Sequence, residues 1–248
     1  DDDDATGDDD DATANPACPI FFVKSDASQS AELWTWNGSG FDGPSDWDPP
    51  GDGTVWGAVA GDFDGDGDLD FITQRGGNQG YRAHLWVSDC AGGFQSEALE
   101  GGGFTFPSDV EDVQGVADLD GDGDLDVLGW DYYSGEGIVW LNGGDGSSWT
   151  TLSAGPNGNA PFELASWDPN NDNTHESVAL PPTDLNFDGL PDLLECSNNA
   201  AAPTNCTVHI GLGNGTFAAT PAGSMARVVN GVATLDLSGD GVTDVIGG

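Results

Sequence analysis

Positive charge is nearly missing from this sequence. Its 248 residues include 4 Lys and Arg against 44 Asp and Glu, which gives a formal net charge of −40. A surface of that sign repels nucleic acids and anionic membrane surfaces and attracts cations, so the charge excludes both of those partners. No apolar run reaches the length of about 18 residues that a spanning helix needs, and we expect no membrane span.

Histidine is also scarce, and uninterrupted helical windows are lacking. His84, His175 and His209 are scattered, without a His-x-x-x-His pair or a Ser/His/Asp grouping, so neither a transition-metal centre nor a nucleophilic triad is indicated. The 39 Gly and 14 Pro interrupt every window long enough for a stable helix. The sequence therefore predicts an all-β protein that is not an enzyme, although its many carboxylates leave a glycosidase-like pair open.

Cysteine is limited to Cys18, Cys90, Cys196 and Cys206, none of them in the paired C-x-x-C spacing of a zinc site. An even number of cysteines in an extracellular protein predicts two disulfide bridges. The polar stretch between Cys196 and Cys206 is typical of a hairpin connection, so these two can pair and leave Cys18 with Cys90. Four cysteines allow three pairings, and the connectivity stays open.

Apolar surface is nevertheless present. The chain has 9 Trp and 11 Phe among repeated Val, Leu and Ile clusters, which favours a folded domain over a disordered acidic chain. The first residues, by contrast, read DDDDATG and DDDDATA, a run that repels itself and has nothing to bury. We predict an acidic low-complexity linker over residues 1–16 and one domain over residues 17–248.

Four aspartate-rich loops divide that domain into repeats. They lie in the stretches GDFDGDGDLDFI from Gly61, ADLDGDGDLDVL from Ala117, TDLNFDGLPDLL from Thr183 and LDLSGDGVTDVI from Leu235. We name them loop 1 (residues 62–70), loop 2 (118–126), loop 3 (184–192) and loop 4 (236–244). Their first aspartates are 56, 66 and 52 residues apart. This spacing is slightly longer than the sequence period expected for one four-stranded propeller blade.

Strand-like segments fill the repeats. A short β-rich run follows each loop, and a second run comes some fifteen residues later as HLWVS, IVWLN and TVHIG. Trp34, Trp86, Trp140 and His209 recur at one position of this second run, which favours packing between blades over sugar stacking. The pattern predicts a β-propeller-like array of about four four-stranded blades, with part-blades at both termini.

The spacing D-x-[DNS]-x-D-G-x-x-D offers calcium the six to eight oxygen ligands that it prefers. Side chains at positions 1, 3, 5 and 9 and the carbonyl at position 7 are the predicted donors, with a glycine at position 6 for the turn. The predicted ligands are Asp62, Asp64, Asp66, Asp68 and Asp70 in loop 1, Asp118, Asp120, Asp122, Asp124 and Asp126 in loop 2, Asp184, Asn186, Asp188, Leu190 and Asp192 in loop 3, and Asp236, Ser238, Asp240, Val242 and Asp244 in loop 4.

The number of ligand carboxylates ranks the four predicted sites by their expected affinity for calcium. Loops 1 and 2 present four ligand carboxylates, whereas Asn186 and Ser238 replace one each in loops 3 and 4, so we expect loop 4 to bind most weakly. An EF-hand is disfavoured, because it needs flanking helices and a Glu at position 12. The out-of-register stretch from Asp168 to Glu176 stays open as a fifth site, and Asn37, Asn205 and Asn214 as glycosylation sites.

These four stretches resemble the FG-GAP/VCBS repeats of integrin-type β-propellers, over roughly residues 20–248. The resemblance implies a Ca²⁺ ion in the hairpin loop between the first two strands of each blade. We predict a secreted or cell-surface protein with a structural or adhesive role and a protein or glycan partner. Self-assembly through the terminal part-blades into a homopolymer or filament is left open, and the alternative function is a carbohydrate-binding module or propeller-type polysaccharide lyase.

Overall fold

The computed structural model describes the protein over fourteen segments: residues 21–25, 31–36, 39–47, 54–77, 80–88, 94–99, 110–131, 137–152, 177–179, 182–197, 205–218, 222–226, 232–235 and 244–247. All regular structure in these segments is β-strand, as the sequence predicts. They contain no helix that is long and apolar enough to cross a membrane. The predicted linker, Cys18, Cys90, most of loop 4 and the stretch from Asp168 to Glu176 lie outside them.

Seventeen strands make up the described fold. They are β1 (Phe21–Ser25), β2 (Ala31–Trp36), β3 (Phe41–Trp47), β4 (Thr54–Gly61), β5 (Asp70–Gly77), β6 (Gly80–Ser88), β7 (Phe94–Ala98), β8 (Val110–Ala117), β9 (Asp126–Asp131), β10 (Gly137–Asn142), β11 (Trp149–Leu152), β12 (Ser177–Ala179), β13 (Leu193–Ser197), β14 (Asn205–His209), β15 (Gly223–Ala226), β16 (Val232–Leu235) and β17 (Asp244–Gly247).

The strands form five antiparallel sheets in chain order. Three are four-stranded, β4–β7, β8–β11 and β12–β15, and each is a simple meander in which every strand pairs with the next along the chain. A three-stranded sheet, β1–β3, precedes them, and a two-stranded sheet, β16–β17, follows. The predicted propeller-like array of four-stranded blades with part-blades at the termini is confirmed, and three of the described sheets are full blades.

Neighbouring sheets pack face to face. In β10 successive side chains point to opposite faces, and both faces are buried. Ile138 and Trp140 join an apolar cluster with residues of the preceding sheet, among them Ile72 and Leu85. Val139, on the other face, joins a cluster with Leu193 and Phe217 of the following sheet. The middle sheet is therefore sandwiched between its two neighbours, as blades are.

The recurrent aromatic position is a packing position. Trp140 is fully buried in the first of these clusters, and Trp86 and His209 are 4% and 5% exposed. Trp86 stacks on Phe71 of β5 with ring centroids 5.9 Å apart, and its indole N–H donates to Thr73 Oγ1 at 2.9 Å. Trp140 therefore packs between blades, as predicted, whereas the contacts of Trp86 lie within its own sheet.

Cys196 and Cys206 lie opposite each other in the sheet. They are register partners in the antiparallel pair β13–β14, and Cys206 is fully buried. The two cysteines therefore lie on neighbouring strands, as the sequence predicts.

Candidate metal centres

Loops 1, 2 and 3 are the connections between the first two strands of the three full blades. Each is closed by the sheet itself: the residue before the loop pairs with the last aspartate of the loop, as Gly61 with Asp70 and Ala117 with Asp126. In the third blade an isolated bridge joins Thr183 to Asp192 in the same way. The sheet register thereby brings the first and the ninth loop positions to the base of one tight turn.

The first aspartate of each loop organises the turn. Asp62 Oδ1 accepts a hydrogen bond from the backbone N–H of Gly65 at 2.9 Å, and its Oδ2 accepts one from Gly67 at 3.0 Å. Asp118 repeats this pattern with Gly121 and Gly123, at 2.8 and 3.1 Å. These bonds fold the chain around the carboxylate of the first aspartate.

The turn requires left-handed backbone at two positions. Gly65 and Gly67 have φ of 76° and 89°, a region that glycine adopts without steric cost. Loop 3 has Gly189 at the second of these positions, but Phe187 at the first, with φ of 64°. Phe187 is the one described residue other than glycine with positive φ, and its ring is 58% exposed.

The ninth position clamps the loop to the third strand of its blade. Asp70 is fully buried, and its two oxygens accept hydrogen bonds from the backbone N–H groups of Phe63 at 3.0 Å and Ser88 at 2.9 Å. Asp126 accepts from Leu119 at 2.7 Å and from Asn142 at 2.8 Å.

Loop 3 keeps the same clamp. Asp192 accepts from Leu185 at 3.0 Å and from Gly211 at 2.9 Å. All three closing aspartates are fully buried, so each holds its loop in place from beneath, independently of any ion.

Three carboxylates converge in each of the first two loops. Oxygens of Asp62, Asp64 and Asp70 all lie within 4.8 Å of one another, and so do oxygens of Asp118, Asp120 and Asp126. The carboxyl groups of Asp66 and Asp122, at position 5, are not in these groups; each accepts a hydrogen bond from the backbone two residues on. Their predicted role as ligands, like that of the position 7 carbonyls, stays a prediction.

Burial and crowding perturb these acids. Burial, opposed by two backbone hydrogen bonds and assisted by the neighbouring carboxylates, raises the pKa of Asp70 to about 6 and that of Asp126 to about 7. Burial and repulsion from neighbouring loop carboxylates also raise the pKa of Asp64 and of Asp120. A cation at the centre of each group would relieve that repulsion.

The donors fit calcium. They are oxygens alone, which favours Mg²⁺, Ca²⁺ or Mn²⁺ over zinc or copper. Ligands at 2.3–2.6 Å from Ca²⁺ lie at most about 5 Å apart, so oxygens within 4.8 Å of one another can share one such ion. The ion would be held in loop 1 by Asp62, Asp64 and Asp70, and in loop 2 by Asp118, Asp120 and Asp126. Its positive charge would attract carboxylates from the turn and from the base of the loop to one centre.

Loop 3 has the same frame with fewer charges. Asp184 accepts hydrogen bonds from Phe187 at 2.7 Å and Gly189 at 2.9 Å, as the first aspartates of loops 1 and 2 do from their glycines. Asn186 stands at position 3, where its Nδ2 donates to Asp188 Oδ2 at 3.0 Å. In loop 4, Asp236, Ser238, Asp240 and Val242 lie outside the described residues, and Asp244 opens β17.

Comparison with known families agrees with this geometry. Residues 20–73 and 184–247 match the model of the FG-GAP-like repeat. The chain carries FG-GAP-like repeats. None of the curated proteins matches it significantly. Loop 2 lies between the two matched segments, yet its hydrogen bonds reproduce those of loop 1 within about 0.3 Å, so the repeat extends through the middle of the chain.

The FG-GAP-like repeats also use residues that sequence reasoning missed. Ser88, Asn142 and Gly211 each donate a backbone N–H to the closing aspartate of their own loop. Each stands two residues after the recurrent aromatic position of the third strand, at Trp86, Trp140 and His209. This constant spacing of two residues is visible in the sequence and could have identified the three donors. The differing side chains hid it, because the shared contact is made by the backbone.

Proposed function

We propose that this FG-GAP-like repeat protein is an extracellular calcium-binding protein with a structural or adhesive role, in which a Ca²⁺ ion stabilises each repeat. The observation that carries the proposal is the threefold recurrence of one loop frame at the same corner of each blade, with convergent carboxylates in loops 1 and 2. Repeats of this family are generally structural or adhesion modules rather than enzymes.

Calcium has a clear physical task in such a chain. With a net charge of −40, the folded state concentrates like charges, and the loops concentrate them most. An ion bound by the first, third and ninth positions replaces repulsion between those carboxylates with attraction to one centre. Because the unfolded chain has no preformed site, the binding free energy adds to the stability of the fold.

Direct binding tests this proposal. Equilibrium dialysis of the full chain against calcium, with magnesium as competitor, should give three to four ions per chain and a preference for calcium. Asp64→Asn and Asp120→Asn, which each remove one converging carboxylate, should abolish or weaken one site apiece. Asp145→Asn is the matched control, since Asp145 is an exposed acid of the β10–β11 turn outside the metal groups. A chain that binds no calcium would refute the proposal.

A disulfide between Cys196 and Cys206 is part of the same proposal. Directly opposed cysteines on adjacent strands are close enough to be bridged, and bridges persist in oxidising, extracellular compartments. Alkylation followed by mass spectrometry should recover the linked peptides from unreduced protein. Free alkylated thiols at both positions would count against the bridge and weaken the extracellular assignment.

Association between copies is the second element of the proposal, and the terminal sheets support it. An aromatic residue that follows the third strand of a blade is buried in the second and third full blades, where Trp149 and Phe217 are 5% and 6% exposed, and partly buried in the first, at Phe94. Its counterpart in the first sheet, Phe41, is 53% exposed. Leu185 of loop 3 is likewise only partly buried, whereas its counterparts Phe63 and Leu119 are 0% and 3% exposed beneath the following blade.

Phe41 thus exposes apolar surface at a position that the second and third full blades bury, and Leu185 is less covered than its counterparts. We propose that copies associate head to tail through these two surfaces. Light scattering at several protein concentrations, with and without calcium, should show association that Phe41→Ser weakens. A strict monomer under all conditions would contradict this element and leave calcium binding untouched.

A further inference from the structure

Asn142, the last residue of β10, touches both loop 1 and loop 2. Its backbone N–H donates to Asp126 Oδ1 of loop 2 at 2.8 Å. Its Nδ2 donates to the carbonyl of Phe63 in loop 1 at 2.8 Å, and also to the carbonyl of Leu125 in loop 2 at 3.3 Å. The side chain is 3% exposed, and its Oδ1 accepts from Gly144 at 3.1 Å. One buried amide therefore joins two metal loops of different blades.

The Phe63 carbonyl is a sensitive place for such a bond. Phe63 stands between Asp62 and Asp64, two of the three converging ligands of loop 1. Its N–H donates to Asp70, the third of them. Fixing the Phe63 peptide therefore fixes the spacing of all three carboxylates.

The turn that follows Asn142 fills the space between the loops. Gly144 has φ of 82°, and an added Cβ there would collide with the carboxylate of Asp124 in loop 2. Gly146 has φ of 65°, and an added Cβ would lie 3.4 Å from both the Asp64 Cβ and the Phe63 carbonyl oxygen of loop 1. The fit leaves little room for either loop to move without the turn.

The same relationship recurs one blade further on. The carbonyl of Leu119, at the position in loop 2 that Phe63 holds in loop 1, accepts a hydrogen bond from Gly215 N–H at 3.0 Å. Gly215 belongs to the corresponding turn of the next blade, where Gly211 stands in the place of Asn142 and has no side chain to donate. A contact from the following blade to this loop carbonyl thus occurs twice in the described residues, once from an amide side chain and once from the backbone.

We propose that loops 1 and 2 are coupled calcium sites, and that Asn142 is the positioning residue through which occupancy of one raises the affinity of the other. The inference rests on the proposed function, since it takes both loops to bind calcium. An ion in either loop orders one end of the Asn142 hydrogen-bond network. The second ion then binds a loop that is already partly ordered. Its binding loses less conformational entropy and is tighter, which is positive cooperativity.

The test needs a separate readout for each loop. The amide protons of Gly67 and Gly123 are hydrogen-bonded to the first aspartates of loops 1 and 2, so their NMR signals in the full chain report the two sites individually. Calcium is titrated at physiological ionic strength, where charges more than about 8 Å apart are largely screened. Asp120→Asn, which impairs loop 2, should raise the calcium midpoint measured at Gly67 by about fivefold or more.

Asn142→Ala should remove this coupling. In that background Asp120→Asn should leave the Gly67 midpoint within about a factor of two. In Asn214→Ala the full shift should persist, because Asn214 is exposed and its Oδ1 accepts hydrogen bonds from Thr216 of its own turn, away from loop 1. Asp145→Asn removes a charge beside both loops while keeping the Oδ1 acceptor of its turn, and it should leave the Gly67 midpoint unchanged.

The outcomes are distinguishable. Calcium-dependent shifts at both glycines, with a Gly67 midpoint that ignores Asp120→Asn, would overturn the coupling and leave the proposed function standing. An equal response to Asp145→Asn would also overturn it, because bulk charge would then explain the shift. Absence of any calcium effect at either glycine would refute the proposed function itself. If Asn142→Ala does not fold, the response of Gly67 to Asp120→Asn in the otherwise unchanged chain still decides.

Discussion

Gln74 Oε1 accepts a hydrogen bond of 3.1 Å from the backbone N–H of Val113, which joins the second strand of one blade to the first strand of the next. Both residues are buried, Gln74 completely. A bulge in β8 lies beside the contact, where the pairing register with β9 shifts between Val113 and Gly115. A side chain from the neighbouring blade thus satisfies a buried backbone donor beside an irregular stretch of strand.

Gln74→Leu should lower the free energy of unfolding by about 1–3 kcal/mol, because it leaves the buried N–H of Val113 without an acceptor. Chemical denaturation measures the change. Gln95→Leu makes the same chemical replacement at an exposed position of β7 and should be nearly silent. Equal effects of the two substitutions would show that the contact between blades contributes nothing particular.

Much of this architecture could be read from the sequence. The loops mark the first hairpin of each described full blade, because Asp or Asn at positions 1, 3, 5 and 9 with Gly at position 6 is typical of a tight turn. The runs after Asp70, Asp126 and Asp192 are the strands that the pattern predicts. The contacts between blades could not be predicted from the sequence. They depend on which backbone groups lie near Asn142 or Gln74 after packing, and residues tens of positions apart supply them.

The closing aspartate and the third-position aspartate of a loop should behave differently when neutralised. Asp126→Asn should reduce the stability of the metal-free protein by about 1–2 kcal/mol, since an amide offers one acceptor atom where Leu119 and Asn142 both donate. Asp120→Asn should leave it unchanged or slightly raised, because repulsion from Asp122 and Asp118 is removed. Both should weaken calcium binding. Thermal unfolding in chelator, followed by calcium titration, separates the two roles.

Phe187→Gly should stabilise the protein by about 1 kcal/mol, because it relieves left-handed backbone that loops 1 and 2 give to glycine. Phe187→Ala removes the same ring without freeing the backbone and should give little of that gain. Unfolding midpoints of the two variants make the comparison. Equal stability of both would mean that φ of 64° costs nothing here.

Stability of the metal-free protein should fall as pH rises through about 6 to 7. Burial raises the folded pKa of Asp70 to about 6 and of Asp126 to about 7, above the ordinary value of 3.8. The resulting stabilisation is complete below the ordinary value and is lost as these groups ionise in the folded state. Saturating calcium should act in the opposite sense, because its ligands must be ionised to bind.

Melting temperatures in chelator and in calcium, measured across this pH range, test the prediction. The two curves should diverge as pH rises, and Asp126→Asn should reduce the divergence. Parallel curves would contradict the proposed linkage between these carboxyl groups and the ion.

Thermal unfolding with and without calcium tests the central claim most directly. A hundredfold excess of free calcium over the dissociation constant should stabilise the fold by about 2.7 kcal/mol per site, and chelation should reverse the gain. We expect a large, reversible rise in melting temperature with calcium and a smaller rise when loops 1 and 2 carry Asp64→Asn and Asp120→Asn together. A melting temperature that ignores both calcium and chelator would contradict it.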